Sequence, residues 1–368
     1  MKIKVFVVFL CMLILTANTH IFADEDITML SQRGFVRLMP LYQCWTRDSG
    51  SSISEISAAM FAYVPLRRNL SLSLRETPAA VSSDISRDIH GLSDMQMDLS
   101  FYQESMQMLF FLGLNLPTGK SSLTYAEYTT SYLISLNEYN FKVPNFGQGF
   151  NIAPGVSWVH GMSDNVVIGI GASYQYRGAF QPFKDLDQKY NPGDEILITG
   201  GIDFRLNSTS TLSFDGIYTF YGKDKMDDNE TYKSGNKIVL STQFKKYFEY
   251  NQLLVLLRYR SKDKNQIAIA GSLITEEERT IPNQFELLMQ YRLRVRKEFY
   301  TSFLFEGRFF DETALYNSTN IFGIGVLPEV MLSNRFSLLL HFKYYSASVK
   351  AMSGFSGFDA GIGLEMNF

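Results

Sequence analysis

The sequence predicts an all-β protein: a transmembrane antiparallel up-and-down β-barrel of about sixteen strands, with fourteen as the alternative count. Three observations lead to this prediction. The chain has 368 residues and is only 19% charged, whereas soluble domains usually carry about a quarter of charged residues. Beyond residue 23, no stretch supplies the roughly 20 consecutive apolar residues that a membrane-spanning helix needs. Apolar and polar residues instead alternate in repeated segments, which indicates strands with one apolar face and one polar face.

The first residues have the features of a secretory signal peptide. Lys2 and Lys4 form a basic start, Val5–Leu15 is an apolar core, and Ala23 marks the expected cleavage site. Removal of this peptide would leave Cys44 as the single cysteine, which excludes an internal disulfide bond. We therefore predict three regions, namely a signal peptide at 1–23, a short periplasmic segment at 24–33 without a plug domain, and an outer-membrane barrel at 34–368.

Two kinds of connection alternate along the predicted barrel. The short turns are Pro65–Asn69, Gln103–Glu104, Gly161–Asp164, Asn207–Ser210, Phe248–Tyr250, Arg296–Glu298 and Ser333–Asn334. The longer polar connections are Arg47–Ser52, Thr77–Gly91, Thr118–Gly147, Gly178–Pro192, Gly222–Gly235, Lys262–Pro282, Asp311–Thr319 and Ser346–Phe355. This alternation is typical of outer-membrane barrels, in which turns lie on the periplasmic side and loops lie outside.

The number of strands depends on the first one, near Phe35–Trp45, because Pro40 interrupts it. A bacterial barrel with both termini in the periplasm has an even number of strands. Including this first strand gives sixteen, which we prefer. The apolar run Ile267–Ile274 lies inside a long connection and is predicted to be a strand extension or a hairpin.

The final segment, Phe358–Phe368, shows the two faces of a strand clearly. Its apolar row includes four residues that we predict to be an assembly signal, Ile362, Leu364, Met366 and Phe368. A similar alternation separates Phe285, Leu287, Met289 and Tyr291 from Glu286, Gln290, Arg292 and Arg294. In a barrel, the apolar rows would contact lipid and the polar rows would line the lumen.

Charged residues on the polar rows are the candidate lumen-lining set. They are Asp94, Asp98, Asp203, Asp215, Arg258, Arg260, Glu286, Arg292, Arg294, Arg296, Glu306, Arg308, His341 and Lys343. The basic members crowd the C-terminal strands, which predicts a basic wall facing a more acidic one and a transverse field on a polar solute. The alternative is a salt-bridged network that fills the lumen.

Other kinds of chemistry fit the sequence poorly. Gly113–Ser121 ends like a phosphate-binding loop, but its spacing is one residue too long. We also expect no amphipathic helix after it, and therefore no helix N-terminus to hold an anion. A barrel hydrolase would need a nucleophile, a base and an orienting group, and His341 near Ser337 is the strongest candidate base. No clustered His and Cys spacing predicts a metal site.

Four short motifs resemble a known family. Gly91–Asp94 opens one strand, Gly113–Gly119 closes the next, Pro154–Val156 follows, and Pro192–Glu195 opens a later strand. Their order, across roughly Ser54–Phe368, resembles the outer-membrane β-barrel transporters associated with the meta-cleavage pathway of phenol degradation. The resemblance implies an outer-membrane barrel and uptake of small aromatic or hydrophobic compounds, and it brings no catalytic residues.

The predicted function is therefore a non-enzymatic channel for passive passage of small molecules across the outer membrane of a Gram-negative bacterium. We expect no cofactor and no nucleic acid, and the predicted partners are outer-membrane lipid, the outer-membrane assembly machinery and a small-molecule solute. The alternatives are a structural barrel whose loops bind a partner and, less favoured by the residues, an outer-membrane hydrolase. The sequence leaves the solute and the oligomeric state open.

Overall fold

The computed structural model describes residues 33–368, so the predicted signal peptide and residues 24–32 lie outside the described residues. The alternating sequence folds into one closed antiparallel barrel of sixteen strands. The strands are β1 Phe35–Arg47, β2 Ser52–Arg67, β3 Leu70–Glu76 with Pro78–Ser83, β4 Ile89–Leu92 with Met95–Gln103, β5 Met108–Leu116, β6 Asn151–Ser163, β7 Val166–Arg177, β8 Glu195–Asn207, β9 Ser210–Tyr221, β10 Lys237–Tyr247, β11 Gln252–Lys262, β12 Gln284–Arg296, β13 Phe299–Phe310, β14 Thr319–Met331, β15 Phe336–Val349 and β16 Phe355–Asn367. The preferred count of sixteen is confirmed, and the alternative of fourteen is wrong.

The barrel closes where β1 pairs with β16. Next to this seam, Gly34 and Phe368 exchange two backbone hydrogen bonds of 3.0 and 2.9 Å. Pro40 remains within β1 and stays in register with β2, but β1 and β16 are not paired around it. A proline has no N–H group to donate to a ladder, which explains why the interruption is local and the strand continues.

Every predicted short turn lies at one end of the barrel, together with the seam residues Gly34 and Phe368. The predicted connection Thr77–Gly91 was too long. Most of it belongs to β3 and β4, as the strand pieces Pro78–Ser83 and Ile89–Leu92, and only residues 84–88 remain as a loop. Likewise, the connection predicted at Ser346–Phe355 shrinks to residues 350–354. We call the end with the short turns the turn end, and the opposite end, with the longer connections, the loop end.

The loops carry structure of their own. A second sheet of five short strands lies there, formed by Tyr190–Asn191, Lys223–Met226, Asn229–Lys233, Gln266–Ile269 and Ser272–Thr275. The last two strands form the hairpin foreseen as one interpretation of Ile267–Ile274, and its two turn residues, Ala270 and Gly271, both have positive φ, as a type I′ turn requires.

Two helices complete the described part of the chain, a 3-10 turn at Glu104–Met106 and helix α1 at Tyr125–Ile134. Thr124 caps α1: its side chain accepts from the Glu127 N–H at 3.4 Å, while the Glu127 carboxylate accepts from the Thr124 N–H at 2.8 Å. Within residues 33–368, no helix has the length and apolar character needed to cross a membrane.

The outer face of the barrel is apolar, as the alternation predicts. On β16, Ile362, Leu364 and Met366 are exposed outward, whereas Asp359 is buried inside. The same separation holds on β12, where Met289 is exposed and Gln290 lines the interior. A continuous apolar outer surface of this extent suits a hydrocarbon environment rather than water.

Candidate functional site

The lumen is partly filled by the long connection between β5 and β6. Its residues 137–148 fold inward, and Phe141, Val143 and Phe146 are almost completely buried. They belong to a core with inward residues of β1–β4 and β13–β16, including Trp45, Ile53, Val81, Ile89, Phe310, Ile321, Tyr345 and Phe355. We call residues 137–148 the inward segment. Its apolar packing fills the loop end of the lumen on the side of β1–β4 and β13–β16.

Two wall residues hold the middle of the inward segment through its backbone. The Lys142 N–H donates to Gln43 Oε1 at 2.6 Å, and Gln43 Nε2 donates to the Asn140 carbonyl at 3.4 Å. The Val143 N–H donates to the Glu55 carboxylate at 3.1 and 3.3 Å. Glu55 is fully buried, so the hydrogen bond from the segment offsets part of the cost of burying this carboxylate.

Arg308 on β13 holds the beginning of the segment. Its guanidinium donates to the carbonyls of Asn137 and Glu138 at 3.1 and 3.0 Å. It also pairs with Glu306 at 2.8 Å and lies over the ring of Trp45. Arg308 therefore serves as an internal clamp in the structure rather than as a side chain facing free solvent.

Asp94 holds the base of the connection. Its carboxylate accepts from the Gly119 N–H at 2.9 Å, the Gln148 N–H at 2.7 Å and Asn115 Nδ2 at 2.8 Å. The register between β3 and β4 shifts by one residue beside Asp94, and such a bulge redirects a side chain. Gly119 is required here, because a Cβ at this position would lie 2.0 Å from the carbonyl oxygen of Phe146.

The phosphate-loop interpretation of Gly113–Ser121 is excluded by these contacts, although the expectation that no helix N-terminus follows was wrong. Helix α1 does follow, but its N-terminus is occupied by its own capping box, and Lys120 Nζ pairs with Glu127 at 2.6 Å. Burial raises the pKa of Glu127, but hydrogen bonds from Lys120 and Thr124 outweigh it and lower the pKa to about 2. The donors that would hold a phosphate already have carboxylate partners.

A cavity of about 930 Å³ remains between the inward segment and the rest of the wall. At the turn end its lining includes Arg37, Gln252 and Asn367, and at the loop end it includes Arg177 and Glu195. The volume lies in the range of small-molecule sites. One space therefore follows the barrel from one end towards the other.

The predicted lumen residues fall into three groups. Those that line the cavity are Asp94, Asp98, Arg258, Glu286, Arg292, Glu306, His341 and Lys343. Arg308 is buried against the inward segment. Those outside the cavity lining are Asp203, Asp215, Arg260, Arg294 and Arg296, of which Arg294 lies over the rings of Tyr250 and Tyr300 near the turn end.

The inward charges are paired rather than separated into opposite walls. The ion pairs in this part of the lumen are Arg258–Glu286 at 2.9 Å, Arg292–Glu329 at 2.6 Å, Arg308–Glu306 at 2.8 Å and Arg37–Glu365 at 2.7 Å. Four arginines of the supposed basic wall have a carboxylate partner, namely Arg258, Arg260, Arg292 and Arg308. The geometry favours the salt-bridged network over the transverse field.

An apolar patch lies between these ion pairs. It consists of five buried leucines on β11–β14, namely Leu254, Leu256, Leu288, Leu304 and Leu327, and all five line the cavity. We call it the leucine patch. The pairs Arg258–Glu286 and Glu306–Arg308 lie on its loop-end side and Arg292–Glu329 on its turn-end side. The alternation of apolar and polar residues did not predict this patch. The unbroken apolar run at 253–257 nevertheless indicates that this strand is apolar on both faces.

The candidate catalytic base is poorly placed. His341 and Ser337 share one face of β15 but are four residues apart, a separation of roughly 13 Å along a strand and far beyond hydrogen-bond reach. His341 Nε2 lies 3.8 Å from Asp359 Oδ2. Among residues 33–368, no three His, Cys, Asp or Glu side chains are grouped as a metal ion would require.

Fold and site together place the protein in a structural class. It is a closed sixteen-strand barrel with an apolar outer surface and an internal cavity that the inward segment narrows. No family model matches the sequence, and no curated protein matches it. The resemblance to the phenol meta-cleavage transporters therefore remains a prediction.

Similar solved structures include outer-membrane proteins of low sequence identity. An outer membrane channel from Pseudomonas putida F1 is 13% identical with a TM-score of 0.42, and the match covers 70% of this chain and 94% of that one. An anion-selective porin from Comamonas acidovorans is 11% identical with a TM-score of 0.44, covering 91% of this chain and 98% of the porin. The high-pH structure of Pseudomonas putida OprB is 10% identical with a TM-score of 0.49, covering 91% and 94%.

Proposed function

We propose that this protein is an outer-membrane channel for the passive passage of small molecules, and that apolar or aromatic compounds are its favoured solutes. The observation that carries the proposal is the cavity of about 930 Å³, which follows the barrel from Arg37 at the turn end to Arg177 at the loop end. A protein that used its barrel only as a scaffold would have no need of such a passage.

The membrane assignment is supported by the barrel's two faces. Apolar side chains cover the outside, and ion pairs and polar side chains lie inside. Closed barrels satisfy every backbone hydrogen bond within the wall, which hydrocarbon requires. The predicted signal peptide, with turns at one end and structured loops at the other, fits the outer membrane of a Gram-negative bacterium.

The preference for apolar solutes is supported by the leucine patch. A hydrated ion that passes Leu256 and Leu288 would lose solvation without a polar partner, which is costly. An aromatic or aliphatic body would instead gain contact with the leucines. The neighbouring ion pairs at Arg258 and Arg292 supply polar groups for a single substituent on such a solute.

The test is solute entry into proteoliposomes, comparing a neutral aromatic compound with a neutral sugar of similar size. We expect the aromatic compound to enter faster, and Leu288→Gln to reduce its advantage. Gln290→Leu, on the same face of the same strand, is the matched control and should not reduce it. Entry of neither solute above protein-free vesicles would contradict the channel, and equal entry of both would contradict the apolar preference.

The alternative of a partner-binding barrel is favoured by one feature, the loop hairpin Gln266–Thr275. Ile267, Ile269 and Ile274 are exposed on it, and it carries no charged residue. Replacing residues 266–275 by a short glycine linker distinguishes the two functions. Unchanged solute entry is expected for the channel, whereas a hairpin needed for the biological role but not for entry would favour the partner-binding function.

A further inference from the structure

We infer that the ion pair between Arg177 and Glu195 forms the outer gate of the channel and sets its preference for charge. This inference rests on the proposed channel function and adds to it the residues that select the solute at the loop end. Arg177 is the last residue of β7 and Glu195 the first residue of β8. Arg177 Nη1 lies 3.1 Å from Glu195 Oε1, and both side chains line the cavity.

The position of the inward segment makes this corner the outer end of the passage. On the β1–β4 and β13–β16 side, the loop end is filled by the core around Phe141 and Phe146. On β11–β13, the described cavity lining reaches no further towards the loop end than Arg258, Glu286 and Glu306. Its loop-end lining comes from β5–β8 and the end of the inward segment, namely Asn115, Gly147, Gln148, Asn151, Arg177 and Glu195.

The surroundings of the pair amplify the effect of its charges. The side chains of Arg177 and Glu195 are only 19% and 10% exposed, and charges act more strongly where little water screens them. The Arg177 Nε atom is buried and has no hydrogen-bond partner in the described structure.

Nearby charged groups of the two signs balance one another around the pair. Lys237, Lys262 and Asp224 all act electrostatically on Glu195. Asp194 also lies here, because its Oδ1 accepts from the Arg177 N–H at 3.0 Å. With the ion pair these groups make three cations and three carboxylates around one outlet. Removing the charge of Glu195 should therefore favour anions, while removing that of Arg177 should favour cations.

The test is the reversal potential across a potassium chloride gradient, measured at low ionic strength on purified variants in planar bilayers. We expect Glu195→Gln and Arg177→Gln to shift the anion-to-cation permeability ratio in opposite directions, each by about twofold or more. A purely structural role of the pair would not give opposite signs. Both shifts should weaken at high salt.

The control is Glu230→Gln on the loop sheet. Glu230 pairs with Lys223 at 2.8 Å, but these side chains are 49% and 44% exposed and lie outside the cavity lining. The substitution makes the same charge change at the same end of the barrel, and we expect no shift. An equal shift in Glu230→Gln and Glu195→Gln would overturn the inference, because it would mean that only the general surface charge matters.

A second measurement does not depend on the ion pair staying intact. In a Cys44→Ser background, Gln175→Cys places a thiol on the cavity wall of β7, two residues from Arg177 and opposite Glu195. A bulky water-soluble thiol reagent added from the loop side should reduce the current. An unaffected current in a conducting protein would overturn the inference while leaving the channel function intact, and an absence of conductance in the parent protein would overturn both.

Discussion

Adjacent residues of one strand meet opposite environments in this barrel, and this sets the effect of single substitutions. Met289 is 41% exposed on the outer face, while Gln290 lines the cavity. An outward arginine near the bilayer midplane costs roughly 2–4 kcal/mol, whereas an inward arginine keeps polar surroundings. We expect Met289→Arg to lower the free energy of unfolding by about this amount, and Gln290→Arg to change it much less. Urea unfolding in lipid vesicles measures both, and equal losses would show that the faces are wrongly assigned.

Glu127 makes a pH-dependent contribution to the order of α1. Its pKa is lowered to about 2 in the folded protein, against an ordinary value of about 4.3. A lowered carboxyl pKa stabilises the folded state above the unfolded value, and the contribution is lost as pH falls from about 4.3 towards 2. We expect hydrogen exchange in residues 124–134, corrected for intrinsic rates, to quicken near pH 3 relative to pH 7. Glu127→Gln should remove this pH difference, and a difference that persists in the variant would contradict the assignment.

The direction of a side chain on a strand could be predicted from the sequence, because it follows a local rule. Contacts between residues far apart in the chain could not be predicted. Alternation placed Met289 outside and Gln290 inside because a strand fixes the direction of each side chain. The roles of Gln43 and Glu55 were missed, since Glu55 meets Val143, which is 88 positions away in the chain. A loop without periodicity gives no local indication that it folds back into the barrel.

At the scale of elements, the inward segment decides how much of the lumen is free. Its anchors are side chains of the wall: Gln43 and Glu55 accept from its backbone N–H groups, and Arg308 donates to its carbonyls. We propose that Glu55 is a positioning residue for this segment. Glu55→Ala removes the acceptor of the Val143 N–H, so we expect a larger single-channel conductance and more frequent current fluctuations.

The conservative variant separates positioning from general destabilisation. Glu55→Gln keeps a carbonyl oxygen that accepts from the Val143 N–H, so its conductance should stay close to that of the parent protein. Thermal unfolding of both variants shows whether the barrel itself is intact. Identical conductance in Glu55→Ala, Glu55→Gln and the parent would contradict a positioning role for this carboxylate.

Most strands could be predicted from the sequence, but the residues at which some of them begin and end could not. The strand count and the turn positions follow from alternation and turn residues. The loop-end parts of β3 and β4 were not predicted, because the sequence predicts one long connection at Thr77–Gly91. These parts are held together by contacts between residues distant in the chain, including the Thr77 N–H donating to Ser93 Oγ at 2.9 Å. A local sequence pattern does not indicate such contacts.

At the scale of the whole molecule, the barrel is one closed sheet, and its seam joins the first strand to the last. We propose that the outward row Ile362, Leu364, Met366 and Phe368 is read by the outer-membrane assembly machinery. Deleting Phe368 removes the end of this row and two backbone hydrogen bonds to Gly34. We expect a clear fall in the amount of protein in the outer membrane. Phe368→Tyr, which keeps an aromatic ring, should assemble normally, and normal levels of the truncated protein would count against the proposal.

The central claim is that the space between the inward segment and the wall is a continuous passage through the barrel. The most direct measurement is single-channel recording of the purified parent protein in a planar bilayer. The account predicts discrete conductance steps that are small for a sixteen-strand barrel, because the inward segment and the leucine patch narrow the lumen. A correctly folded, heat-modifiable barrel that inserts and yet shows no conductance would contradict it.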